Sequence, residues 1–177
     1  MEEDSTPAVT TRSVGTRYGA IMAAISIVVF LVMTFASIDM TSGVGRWATI
    51  PIYLVVIYLA QKNFIDNSDN FMSYGQGMGI TWWIALVSSA IYSVFFYFYI
   101  KFIDGSLVET IVERQRDQMQ ESGMSEEQID QAMSFSAPFM SPEMMFVFGL
   151  LIGIFLIMIC GLIITIFAQK NNPETSI

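Results

Sequence analysis

The sequence predicts an all-α membrane protein: a bundle of four transmembrane helices with a helical, acidic amphipathic loop between the third and the fourth. Three observations carry this. Residues 19–38, 48–60, 78–100 and 144–168 contain no charged side chain. The 177 residues are 54% hydrophobic and 14% charged, too apolar for an ordinary soluble domain and suited to helices whose whole circumference meets lipid or other helices. The stretch 104–140 is polar by contrast, and its apolar residues recur at helical spacing.

Residues 1–17 mix acids, Ser, Thr, Pro and Gly without apolar periodicity and read as a flexible polar tail. Glu2, Glu3 and Asp4 stand where a secretory signal would carry basic residues, so the first apolar run is expected to be retained as a helix. It covers residues 18–38, and about 20 residues rising about 1.5 Å each cross a hydrocarbon core of about 30 Å. The second segment, 44–61, is shorter; Arg46 and Trp47 mark its entrance and Pro51 sits early, where a missing N–H costs least. Asp66, Asn67, Ser68, Asp69 and Asn70 then supply turn chemistry.

The third segment, 78–101, is aromatic. Trp82, Trp83, Tyr92, Phe95, Phe96, Tyr97, Phe98, Tyr99 and Phe102 concentrate towards its ends, the pattern of interfacial belts. In the following loop, Leu107, Val108, Ile111, Val112, Gln115 and Met119 predict a helix over 104–122 with Gly123 as its C′ residue. Ser125 with Gln128 is a capping-box signature for a second helix over 125–135, with Ile129 and Met133 on its apolar side. Helices that bind anionic membranes carry Lys and Arg on the polar face, whereas these carry Glu109, Glu113, Asp117, Glu126, Glu127 and Asp130. They are expected to cap their own bundle and to offer those carboxylates as an interaction surface. Ser141-Pro142-Glu143 places a cap, a first-turn proline and a first-turn acid at the start of the fourth segment, 142–168. Residues 18–170 thus make one membrane domain, followed by a tail at 171–177. Four crossings put both termini on one side, and Arg12 and Arg17 before the first helix argue for the cytoplasmic side.

Gly123-Met124-Ser125-Glu126-Glu127-Gln128-Ile129, the closing Ser141-Pro142, and Met72-Ser73-Tyr74-Gly75-Gln76-Gly77-Met78-Gly79 leading into an aromatic helix resemble an uncharacterised bacterial four-helix integral membrane protein family, domain of unknown function 4199. The similarity runs from about Tyr18 to Ala168 and rests on the order of elements, each motif alone being weak. It implies a multi-pass protein of the bacterial cytoplasmic (inner) membrane with no established activity, and it supplies no catalytic residues. A longer acidic N-terminal tail and an unusually high Met content are the departures.

Composition excludes several chemistries. A net charge of -8 argues against binding nucleic acid. With no histidine in the chain, His-based acid–base catalysis and the common zinc sets are absent. No intramembrane ionisable residue marks a proton relay or ion path. The single cysteine, Cys160, lies in an apolar segment, where a thiol is normally inert. No enzyme, cofactor or metal site is expected.

Gly75, Gly77 and Gly79 precede a helix without the strand, Lys or Ser/Thr of a phosphate cradle, so the run is read as helix entry and close packing, with Gly75 and Gly79 as helix-packing candidates. Gly149 and Gly153 form a GxxxG pair continued by Gly161; intrachain contact is the preferred reading, a second copy the other. Thr81, Ser88, Ser89 and Tyr92 form a polar stripe on the third helix, read first as interhelical hydrogen bonding and second as the wall of a solute path. The thirteen methionines, several beside the loop, admit a Cu(I) reading, but without tight Met spacing they read as ordinary apolar filling. The expected function is that of an accessory or scaffolding membrane component. Its partners are the lipid bilayer and another membrane protein or a second copy; a small-molecule ligand is not identified. The alternative is a small-solute transporter or channel subunit lined by the stripe.

Overall fold

The computed structural model describes residues 9–36, 38 and 49–170. The expected entrance of the second segment at 44–48, with Arg46 and Trp47, most of the N-terminal tail and the tail 171–177 lie outside the described residues. Every regular element described is helical. In order they are α1 (Thr11–Phe35), α2 (Thr49–Asp66), α3 (Tyr74–Phe98) continued by a π-helical turn (Tyr99–Ile103), α4 (Ser106–Glu121), α5 (Glu126–Ser136), a 3-10 turn (Ala137–Met140) and α6 (Pro142–Ala168).

Three helical stretches are long and apolar enough to cross a membrane: Thr11–Phe35, Tyr74–Ile103 and Pro142–Ala168. The chain is therefore a membrane protein with three candidate spans among the described residues. The described part of α2 has 18 residues and is not one of them, because Gln61, Lys62, Asn63 and Asp66 fall in its last turns.

Side-chain caps set the helix starts. Thr10 and Ser13 exchange hydrogen bonds across the first turn of α1, at 3.1 and 3.2 Å, so the helix begins inside the stretch that reads as a tail. Composition alone misses this because the first turns are polar outside, while Val14 is buried in the main core and Gly15 against α3. Ser73 and Gln76 form the same reciprocal pair at 3.2 and 2.8 Å and start α3 at Tyr74, ahead of the expected residue 78. Ser125 with Gln128 starts α5, and Ser141 caps α6 through the Met144 N–H. α4 ends in a Schellman motif: Gly123 has φ +80°, its N–H donates to Gln120 O, and the Met124 N–H donates to Met119 O.

α3 is the axis of the bundle. α1 runs parallel to it, with Gly15 over Ile80 and Trp83 and Gly19 over Ile84 and Val87. α6 runs antiparallel on another side, with Gly161 at Thr81 and Gly153 at Ser89. α2 is antiparallel too, its Gln61 reaching Gly77 and Thr81 near the start of α3. Met72 and Lys170 exchange backbone hydrogen bonds of 2.9 Å, which tie the start of α3 to the end of α6. The main core, around Met22, Ile57, Met72, Ile80 and Ile84, occupies the half of the bundle nearer this bridge.

A second core lies at the opposite end, where Phe30 is met edge-on by Tyr92, Phe95, Phe96 and Tyr99 at centroid distances of 5.0–6.3 Å. These four rings therefore turn inward instead of forming an interfacial belt. Trp82, Phe98 and Phe102 are exposed, and Trp83 lies under the Arg12 guanidinium. The start of α4 docks on this second core through Leu107.

Candidate functional site

The seam between α3 and α6 gathers the buried polar side chains. On α2, Val56, Ile57, Ala60, Gln61 and Phe64 share one face at helical spacing, so the face that packs the core also carries an amide inward. Gln61, Thr81 and Thr165 are fully buried. Gln61 Nε2 donates to Thr165 Oγ1 at 2.7 Å and also lies 3.2 Å from Gly77 O and 3.3 Å from Thr81 Oγ1. Two N–H groups face three acceptors, so at most two of these bonds are full at once, the Thr165 bond being the shortest. The Thr81 hydroxyl donates to Gly77 O at 3.0 Å, leaving its lone pairs for the amide. Three helices are thereby joined at one point, while Gln61 Oε1 has no partner.

Glycines make the approach possible. A Cβ on Gly77 would lie 2.5 Å from Thr165 Cγ2, and one on Gly161 would run into Thr81. Further along, a Cβ on Gly153 would come within 2.7 Å of Ser89 Oγ, but one on Gly149 would stop 3.6 Å from Ser93 Oγ. The seam therefore opens steadily away from Gln61.

The GxxxG face of α6 and the polar stripe of α3 thus face each other. Thr81 joins the Gln61 cluster, and Ser88 spends its hydroxyl on Ile84 O at 2.7 Å. Ser89 and Ser93 are buried with unpartnered hydroxyls. Tyr92 reaches the aromatic core around Phe30. Gly75 is exposed with only Ser73 Oγ 4.0 Å from where its Cβ would be, and Gly79 makes ordinary contact with Thr11. Glu109, Glu113, Asp117, Glu126, Glu127 and Asp130 are all exposed, and Asp130 pairs with Arg116 at 2.8 Å.

Sequence reasoning missed Gln61, Thr165, Gly15 and Gly19, whereas Gly77 packs closely as the glycine run suggested. Gly15 and Gly19 are themselves a GxxxG pair, hidden by the assignment of Gly15 to the tail. Gln61 continues the Val56, Ile57 and Ala60 face, the signal that it turns inward.

Two cavities open where the seam widens. The inner one, about 170 Å³, is lined by Ser26 of α1, Tyr53 of α2, Ser88, Ser89 and Tyr92 of α3, and Gly153 of α6. The outer one, about 300 Å³, is walled by Phe96, Phe139, Met140, Met145 and Phe148, with Tyr92 and Ser93 as its hydroxyl-bearing members. Both have Tyr92 and Gly149 in their walls. Among the described residues no group of three or more His, Cys, Asp or Glu could hold a metal ion. Cys160 is free and buried in the main core.

A family model described as a protein of unknown function, DUF4199, matches residues 17–170 of the chain. No curated protein and no solved structure gives a significant match.

Proposed function

Because the chain belongs to the DUF4199 family of proteins of unknown function, we propose its role from its own geometry: a multi-pass membrane protein that acts as an accessory or scaffolding component. In this reading α2 is the fourth crossing. It lies antiparallel to α1 and α3 and parallel to α6, and a helix of its described length spans about 27 Å. Both termini face the cytoplasm of a bacterium, across its inner membrane from α4 and α5, which cap the bundle.

The closed end of the seam carries the reading. There Gln61, Thr81 and Thr165 join three helices, Gly161 meets Thr81 with no room for a methyl group, and the described spans bring no charged side chain into the core, so the widened end is not continued as a path through the bundle. The exposed carboxylates of α4 and α5 supply the surface for a partner, through contacts of the kind that steer association between opposite charges.

In-membrane cross-linking of the tagged protein in its host, followed by mass-spectrometric identification, tests this. A distinct membrane protein linked through residues 104–140 is the expected result; self-links alone would remove the hetero-partner. One observation favours the second reading, a small-solute transporter or channel subunit: the inner cavity, bounded by Ser88, Ser89 and Tyr92. Solute flux in proteoliposomes that falls on substitution of Ser88 and Ser89 would replace the accessory role with it.

A further inference from the structure

Ser89 and Ser93 lie one helical turn apart on the same face of α3, 5% and 2% exposed, each with a hydroxyl that bonds to nothing. A serine in a membrane helix ordinarily spends its O–H on the carbonyl one turn back, as Ser88 does on Ile84 O. Two unspent donors in a row, each in the wall of a cavity, leave a hydrogen-bonding capacity that packing does not use.

The surrounding surfaces define what would use it. The outer cavity presents Phe96, Phe139, Met140, Met145 and Phe148, a flexible apolar wall with rings available for stacking. Phe139 and Phe148 are exposed, so this side meets the surroundings of the bundle at the level where α6 begins. No Asp, Glu, Lys or Arg lines either cavity, so a charged group would enter without a counter-ion at low dielectric. The occupant must be neutral, mostly apolar, and equipped with an acceptor able to take two O–H donors.

We propose that the widened end of the α3–α6 seam is a binding site for a small, neutral, lipid-soluble carbonyl compound. Its apolar body fills the outer cavity and its carbonyl oxygen accepts from Ser93 and Ser89 at the junction marked by Tyr92 and Gly149. The site stands whether or not the acidic helices meet a partner, because none of its residues belongs to α4 or α5.

Benzophenone, a neutral aromatic ketone that attaches to nearby C–H bonds under near-ultraviolet light, is a suitable probe. The full chain in phosphatidylcholine nanodiscs is irradiated across a concentration series, and adducts are mapped by mass spectrometry. The expected result is saturable labelling at Met140 and Met145. Half-saturation moves up by about tenfold in the Ser89→Ala/Ser93→Ala pair, the loss of two neutral hydrogen bonds. Gly149→Leu, which fills the junction, abolishes the Met140 and Met145 adducts. Unchanged thermal unfolding of the serine pair shows that the bundle is intact. Labelling that rises linearly with probe and falls equally on the exposed face of Leu151, Phe155 and Ile159 would overturn the site, as would saturable labelling indifferent to both serines. Labelling that appears in detergent but is suppressed by phosphatidylcholine would assign the cavity to bilayer acyl chains and overturn the free-compound reading.

Discussion

The two ends of the α3–α6 seam are built from the same residue types and behave differently. Glycines of α6 face hydroxyl residues of α3 along its length, yet at Gly161 and Thr81 there is no room for a methyl group, while at Gly149 and Ser93 there is room for a cavity of about 300 Å³. The difference lies in the third helix. α2 sends Gln61 into the closed end, where one amide engages Thr165, Gly77 and Thr81. At the outermost part of the open end, around Gly149 and Ser93, the additional element is the short turn Ala137–Met140, which brings Phe139 and Met140 and no hydroxyl, amide or charged side chain, while Ser26 of α1 and Tyr53 of α2 reach only the inner cavity. Small residues permit close approach; the seam closes where another helix adds an amide donor to the acceptors of both its sides.

Substitutions along the seam can break or sharpen that contrast. The buried single thiol of Cys160 offers a readout, since its reactivity towards a fluorogenic maleimide on heating reports loss of the core. Gly161→Val should be the most damaging, at 3 kcal/mol or more by the rough scale of overpacking, because the new side chain meets Thr81 with α3 behind it. Gln61→Leu keeps the volume and removes the junction, costing about 1–2 kcal/mol, the upper range of interhelical hydrogen bonds in membranes. Gly153→Ala needs Ser89 to rotate away and should cost about 1 kcal/mol. Ser93→Ala removes a hydroxyl without a partner and should leave stability within about 0.5 kcal/mol. If Ser93→Ala destabilises as much as Gln61→Leu, the two ends are alike and the contrast fails.

Much of this was legible in the sequence, for identifiable reasons. Charge-free stretches announce membrane helices because a buried charge is costly, and Ser125, Gly123 and Ser141 announce helix ends because orphan backbone groups need partners. The Ser73 and Gln76 pair carried the same signal but was masked by the glycines between and after its members. Gln61 was not legible as a site, since it closes an apolar run where a polar residue normally marks the membrane surface. Its burial depends on Thr165, more than a hundred residues away, and pairings of that kind leave no local pattern. The inward turn of Tyr92, Phe95, Phe96 and Tyr99 was hidden likewise, because belt and core positions alternate on one helix and are distinguished by distant residues such as Phe30 of α1.

The central claim is that α2 crosses the membrane, so that the Gln61 end of the seam and the terminal tails share one side while the open end shares the other with α4 and α5. Single cysteines at Ser5, Asp69 and Glu126 in a Cys160→Ala background, challenged with a membrane-impermeant maleimide in intact and in opened cells, test it directly. The account expects Ser5→Cys and Asp69→Cys to react only after the cells are opened and Glu126→Cys to react in intact cells. Reaction of Asp69→Cys and Ser5→Cys from opposite sides would contradict it, because α2 would then lie on the membrane or within the bundle without crossing.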